Sequence, residues 1–171
     1  MKNLIVYYSR KGENYYDGSV KNLPKGNTEI AAEYIKEAVG GDLFEVETAK
    51  PYAEDYFTCT QEAKEELQTN ARPQIKRFLD DISGYDNVFV GYPNWWGTMP
   101  MSMFTLLERY DFTGKKVIPF CTNEGSGMGS SERDLQKICR GAKFGKGLPV
   151  RGSEAEKSKR VISEWAKNSI K

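Results

Sequence analysis

Gly91-Tyr92-Pro93-Asn94-Trp95-Trp96-Gly97-Thr98-Met99-Pro100 joins two elements of different kind. Before it, Val88-Phe89-Val90 is a short continuous apolar run, as a strand buried on both faces requires. After it, Met101 to Leu107 reads as the body of a helix that ends near Arg109. Two adjacent tryptophans therefore sit in a strand-to-helix loop. Loops run over the surface, where a pair of large rings stays exposed unless the domain folds over it or something flat covers it.

The same order recurs toward the N-terminus. Lys2 to Ser9 is a first strand, with Leu4-Ile5-Val6-Tyr7-Tyr8 as its apolar run. Ser9 to Gly26 reads as a polar loop carrying Tyr15-Tyr16, longer than the roughly 2–6 residues usual for such a connection. Asn27-Thr28-Glu29 opens a helix, with Asn27 or Thr28 as the cap. Its apolar face is Ile30, Ala31, Tyr34, Ile35, Ala38 and Val39, and Gly40-Gly41 ends it. Leu43 to Glu47 alternates like an edge strand. Thr58 to Gln61 is a capping box for a charged helix to about Gln68. Pro73 starts a further short helix, with Ile75, Phe78, Leu79 and Ile82 facing inward.

Toward the C-terminus, Lys116 to Cys121 is a strand, although Pro119 counts against a central position because it cannot donate to the ladder. Thr122 to Gly129 is a Gly/Ser loop, and Ser131 to Cys139 a helix stopped by Gly141. Ala142 to Val150 is a weak strand broken by Gly145 and Gly147. Ser153 to Glu156 is a capping box for a last helix that buries Val161, Ile162 and Trp165. Strands alternating with helices predict an α/β fold with a parallel sheet covered on both faces, in a single domain over 1–171. Such sheets bind ligands beyond the carboxyl ends of their strands. Three loops leave those ends: Ser9–Thr28, Pro93–Thr98 and Thr122–Gly127.

Composition narrows the chemistry. The 171 residues carry 25 Lys+Arg against 24 Asp+Glu, a net charge of +1, which favours neither nucleic acid nor a membrane surface. No apolar run approaches the length of a membrane span, and the cytoplasm is the expected location. Histidine is absent, and the three cysteines (Cys59, Cys121 and Cys139) are widely spaced with no C-x-x-C. That excludes a Cys/His zinc site and Ser-His or Cys-His catalysis. No metal and no catalytic side chain is expected, and any reaction falls to a bound cofactor.

The Ser9 hydroxyl and the helix start at Gly26-Asn27-Thr28 suit a phosphate. Neither a Walker motif nor G-x-G-x-x-G is present, which disfavours a nucleoside triphosphate or a dinucleotide. Trp95-Trp96 offers a stacking wall. The small residues of Thr122-Asn123-Glu124-Gly125-Ser126-Gly127 let backbone N–H groups approach a flat ring edge. Phosphate cradle, aromatic wall and ring-edge loop together describe a site for FMN.

Four segments carry a family resemblance: Tyr8-Ser9-Arg10, Gly26-Asn27-Thr28-Glu29, Gly91 to Pro100, and Phe120-Cys121 with Thr122 to Gly127. The chain resembles a flavodoxin, of the bacterial flavodoxin-like group with a long first βα loop, over essentially its whole length. The resemblance implies a three-layer flavodoxin-like fold with a five-stranded parallel sheet in the order 2-1-3-4-5. It also implies one non-covalent FMN and one-electron transfer to and from redox partner proteins, a reductase and an acceptor. By similarity Ser9, Asn27 and Thr28 hold the phosphate, with Arg10 beside them. Pro93, Asn94, Trp95, Trp96, Gly97 and Thr98 hold the isoalloxazine together with Thr122, Asn123, Glu124, Gly125, Ser126 and Gly127. Trp96 is expected against the flavin and Trp95 against the domain, with a backbone group near Gly97 at the flavin N5.

Two departures stand out. An insertion, Arg10 to Lys25, splits the family's compact phosphate loop; Tyr15 and Tyr16 either close over the flavin or partner face or belong to a solvated loop. The near-neutral charge also differs from strongly acidic flavodoxins. An FMN-dependent NAD(P)H:quinone oxidoreductase is the alternative reading, and a flavin-free interaction module a third.

Overall fold

The computed structural model describes residues 1–171. In chain order the strands are β1 (Asn3–Tyr7), β2 (Gly12–Tyr16), β3 (Ser19–Leu23), β4 (Asp42–Glu45), β5 (Asn87–Pro93), β6 (Lys116–Asn123), β7 (Lys143–Phe144) and β8 (Leu148–Arg151). The helices are α1 (Asn27–Val39), α2 (Tyr56–Gln68), α3 (Met101–Leu107), α4 (Ser131–Ile138) and α5 (Lys159–Ser169), the last preceded by a 3-10 segment, Gly152–Ser158.

The main sheet runs β4-β1-β5-β6, with β7 and β8 sharing the position beyond β6, and every pairing in it is parallel. Counting β7 and β8 as one interrupted strand, this is the expected order 2-1-3-4-5. Alternation along the strands sends residues to opposite faces. Leu4, Val6, Val88, Val90, Tyr92 and Val117 pack in one core with Met103 and Leu106 of α3 and Leu135 of α4. Ile5, Tyr7, Phe89, Ile118 and Phe120 pack in the other with Ile35 of α1 and Ile162 of α5. The result is three layers: helices, sheet, helices.

Pro119 is accommodated by the break in the fifth strand. The carbonyls of Lys115 and Val117 accept from the N–H groups of Lys143 and Gly145 at 2.8 and 2.9 Å, so these alternate residues face that side. Pro119 comes next, opposite the gap between Phe144 and Leu148. The N–H it lacks has no ladder partner to lose.

Four expectations are corrected. Ser9 to Gly26 is not a plain loop: β2 and β3 form an antiparallel hairpin, Tyr16 opposite Ser19. Asp17 and Gly18 turn it with φ of +50° and +89°, the signature of a two-residue type I′ turn. Pro73 starts no helix. Ile75 instead bridges Thr48, with Ala49 N–H donating to Gln74 O at 2.8 Å and Lys76 N–H to Glu47 O at 2.9 Å. Ile75 and Ile82 are buried all the same, so the apolar positions matter for packing and not for a helix. Helix α2 is capped by Asp55, whose carboxylate accepts from Thr58 N–H at 2.8 Å, and not by Thr58. The last helix starts at Lys159 after the 3-10 segment and not at a Ser153–Glu156 cap, and within it Ile162 is buried while Val161 is 59% exposed.

Gly91 lies in the buried part of β5, under the ring of Phe120. A Cβ there would lie 2.1 Å from the ring edge. Gly91→Ala should cost about 1–3 kcal/mol, the scale of overpacking in a filled core. A urea unfolding midpoint lowered accordingly, at unchanged slope, is the expected result.

Candidate functional site

The carboxyl ends of β1, β5 and β6 lie side by side, and their loops are tied together there. The Thr28 and Thr122 hydroxyls share a buried hydrogen bond of 2.7 Å between the start of α1 and the end of β6. Asn94 links the second loop to the third: its N–H donates to Thr122 O at 2.9 Å and its Nδ2 to Gly127 O at 2.9 Å. Pro93 continues the ladder opposite Thr122. The three loops meet at one edge of the sheet, as expected.

At the start of α1, neither expected residue is the cap. Gly26 holds that position without a side-chain bond, and Ser9 supplies one from outside: its Oγ accepts from Glu29 N–H at 3.0 Å. A Cβ on Gly26 would stand 2.1 Å from Ser9 Oγ and 2.7 Å from Arg10 O. Only glycine allows β1's end to press so closely on the helix start. The N–H groups of Asn27 and Thr28 make no hydrogen bond within the protein. Two open helix-start donors and a hydroxyl with its proton still to give form a compact seat for an anion.

The tryptophan loop is a tight turn. Trp95 and Thr98 exchange backbone hydrogen bonds at 2.8 and 3.3 Å, with φ of +56° at Trp96 and +90° at Gly97. Asn-Gly is the usual pair for such a turn, and a bulky residue in the left-handed region is strained by about 1–3 kcal/mol. The turn sends the two rings apart. Trp95 packs inward, edge-on to Tyr8 and Tyr52 at centroid distances of 5.1 and 5.2 Å. Trp96 is 49% exposed, its Nε1 donating to Thr60 O at 2.9 Å and its ring under the Lys64 ammonium. Gly97 is held on both sides, its N–H by Asn94 Oδ1 at 2.8 Å and its carbonyl by Ser130 N–H at 2.7 Å.

Other expected residues divide. Asn123 Oδ1 accepts from Gly125 N–H at 2.9 Å and shapes the third loop, while Gly125 and Ser126 stay exposed on it. The Glu124 carboxylate turns to the segment after β8, accepting from Ser153 N–H and Oγ at 2.8 and 3.0 Å beside Arg151. Two side chains leave the group. Thr98 Oγ1 donates to Asp134 of α4. Arg10 turns to the hairpin and the loop before α2: Nε donates to Glu13 O at 2.8 Å, and Nη2 to Ala53 O and Glu54 O at 3.0 and 2.9 Å. Three of its five N–H donors thus go to backbone carbonyls, which makes it a strap between the hairpin and the loop before α2.

Sequence reasoning missed the anchors of the hairpin. Glu13 Oε2 accepts from Tyr56 N–H at 2.6 Å, Tyr15 packs on Tyr56 at 6.3 Å, and Tyr16 OH donates to Ser153 O at 3.1 Å. The hairpin is thus pinned from α2 to the segment before α5, although none of its strand residues is buried. Asp17-Gly18 was the available signal.

Burial raises the thiols, Cys59 to about 11 and Cys121 and Cys139 to about 12. None is poised as a nucleophile. Burial likewise holds the Tyr8 and Tyr52 phenols protonated around Trp95. No group of three or more potential metal-ligating side chains occurs, and no helix is long and apolar enough to cross a membrane.

The known proteins that match this chain agree in kind. A family model described as Flavodoxin matches residues 21–169. Among solved structures, a protein assigned as a flavoprotein from Bacteroides eggerthii DSM 20697 is 30% identical, covers 99% of this chain and 98% of its own, and superposes with a TM-score of 0.77. Another so assigned, from Bacteroides uniformis ATCC 8492, is 29% identical over 97% of each chain, with a TM-score of 0.75. A flavoprotein from Lactobacillus acidophilus NCFM, solved in complex with FMN, is 26% identical over 91% of this chain and 97% of its own, with a TM-score of 0.62. No curated protein sequence matches.

The shared hydroxyl bond gives a direct check on the loop junction. Thr28→Val or Thr122→Val alone strands a buried hydroxyl and should cost about 1–3 kcal/mol. The double variant should cost less than the sum of the two, by about 1 kcal/mol, in a denaturation cycle.

Proposed function

The chain belongs to the flavodoxin family, and on that premise we propose that it binds one FMN at the edge where β1, β5 and β6 end and passes single electrons between redox partner proteins. The observation that carries this reading is the pairing, at one edge, of an open anion seat with a strained turn that presents Trp96. The residues fit the cofactor. Asn27 and Thr28 N–H groups and the Ser9 hydroxyl proton would hold the phosphate, and Gly26 keeps that seat small. Trp96 and the backbone of Thr122 to Gly127 would flank the ring. Arg10 and the Thr98 side chain are left out of the set, because both are engaged elsewhere.

Bound FMN supplies the electron-carrying chemistry. The chain's part is to bind its oxidation states unequally, and a tenfold difference in affinity shifts a one-electron potential by about 59 mV. An electron-rich indole against the ring disfavours added negative charge. The Gly97 peptide, clamped by Asn94 and Ser130, presents neither its N–H nor its carbonyl freely. Any hydrogen bond from Gly97 to the ring therefore requires Asn94 to let go, which makes Asn94 the residue that tunes the site.

The positive φ at Trp96 has a use in this reading: stability is given up to present a ring. Trp96→Asn relieves strain of about 1–3 kcal/mol and loses one hydrogen bond of about 0.5–1.5 kcal/mol. The FMN-free protein should then be as stable as the parent or slightly more so. FMN affinity, read by quenching of flavin fluorescence, should fall by about tenfold, the scale of one stacked ring. Gly26→Ala should weaken FMN at least as much. A parent protein that takes up no FMN, or variants that bind it unchanged, would sink the reading.

A further inference from the structure

A second cavity lies behind the tryptophan turn, between the hairpin, the first two turns of α2 and the loop after β5. It has a volume of about 560 Å³, within the range of small-molecule sites. Its walls include Tyr15, Tyr56, Phe57, Trp95 and Trp96. Three of these are among the few large apolar side chains the molecule exposes: Tyr15 at 45%, Phe57 at 65% and Trp96 at 49%. Exposed aromatics gathered on one concavity are an unpaid cost unless something covers them.

The cavity is not the FMN seat proposed above. Ser9, Asn27, Thr28 and the whole Thr122–Gly127 loop are absent from its walls. What the two share is the tryptophan turn, with Asn94, Trp95 and Trp96 between them. The hairpin insertion makes the outer wall, so the cavity exists because of the segment that lengthens the first loop.

Its chemistry specifies the occupant. In a chain with 29% charged residues, no Asp, Glu or Lys lines it. The one charge, Arg10, directs its Nε and Nη2 to the carbonyls of Glu13, Ala53 and Glu54. Apart from Arg10 Nη1, the polar groups still unpaired are neutral donors: the Tyr15 and Tyr56 hydroxyls and the Gln61 amide make no hydrogen bond within the protein. Stacking walls select a flat ring. Neutral donors select oxygen acceptors on it. With no carboxylate or ammonium in the walls and three Arg10 donors turned to backbone carbonyls, the stacking surface selects a neutral ligand over an ion.

We propose that this cavity binds a neutral, planar aromatic molecule bearing carbonyl oxygens, of the quinone class, as a site separate from that of the cofactor. Nothing in it provides a covalent step. The thiol of Cys59, on the cavity wall, is held protonated by burial.

The test is calorimetric titration of the FMN-saturated protein with menadione, and with 2-naphthoate as an anion of similar size. Phe57→Ala and Tyr15→Ala serve as variants, since both side chains are exposed and the Glu13, Arg10 and Tyr16 hydrogen bonds still hold the hairpin in either. Expected are saturable menadione binding, much weaker naphthoate binding, and a loss of menadione affinity of about tenfold in each variant with FMN affinity unchanged. Overturning results are no menadione binding, naphthoate binding as tightly, variants that bind menadione like the parent, or variants that lose FMN in parallel, which would make the cavity the flavin's own seat. If the chain takes up no FMN, the same titration on the FMN-free protein decides the cavity by the same criteria, so the two readings fail separately.

Discussion

Thr122 is the point through which the three loops communicate. It lies near the end of β6, shares a hydroxyl hydrogen bond with Thr28 at the start of α1, and accepts the Asn94 N–H on its carbonyl. A parallel sheet brings strand ends to one edge but leaves the loops beyond them free to splay. Here one buried threonine pair and one asparagine remove that freedom. The seat at Asn27 and Thr28, the clamp on Gly97 and the orientation of Trp96 all depend on loops held in register by these bonds. Their net worth is modest, of the order of 1 kcal/mol each, yet an unmade buried partner costs more. The arrangement is therefore specified more strongly than it is stabilised.

Strain is placed where the ring is presented. A tryptophan at φ +56° occupies a position suited to asparagine or glycine, and two backbone bonds and the Thr60 contact hold it there. The turn separates two neighbours that would otherwise compete for one surface. Trp95 belongs to the core with Tyr8 and Tyr52, and Trp96 belongs to the surface. The hairpin then builds a wall beside that surface, pinned through Glu13, Arg10 and Tyr16 to elements distant in sequence. The insertion thus adds a structured element to a three-layer α/β frame without disturbing its sheet.

Much of this was legible in the sequence, for physical reasons. Strands buried on both faces read as continuous apolar runs, so β1, β5 and β6 and the loops at their ends were placed. The separate fates of Trp95 and Trp96 followed from adjacency alone. What escaped was set by tertiary contacts. Pro73 carries a helix-start signal, but the backbone around Ile75 pairs with the segment around Thr48 instead. Pro119 looked hostile to a central strand until the gap in its neighbour was known. The hairpin offered only Asp17-Gly18 inside polar strands with weak alternation, since neither of its faces is fully buried. Arg10 looked like an anion ligand because the carbonyls that take its Nη2 donors lie more than forty residues away.

The central claim is that the Ser9, Asn27 and Thr28 seat holds a phosphate while the neighbouring loops hold a flavin ring. Parallel calorimetric titrations with FMN and riboflavin test it most directly, because the two ligands differ only in that phosphate. Hydrogen bonds to a charged group contribute about 1.5–3 kcal/mol each, so riboflavin should bind about a hundredfold more weakly or worse. Equal affinities for the two would contradict the account.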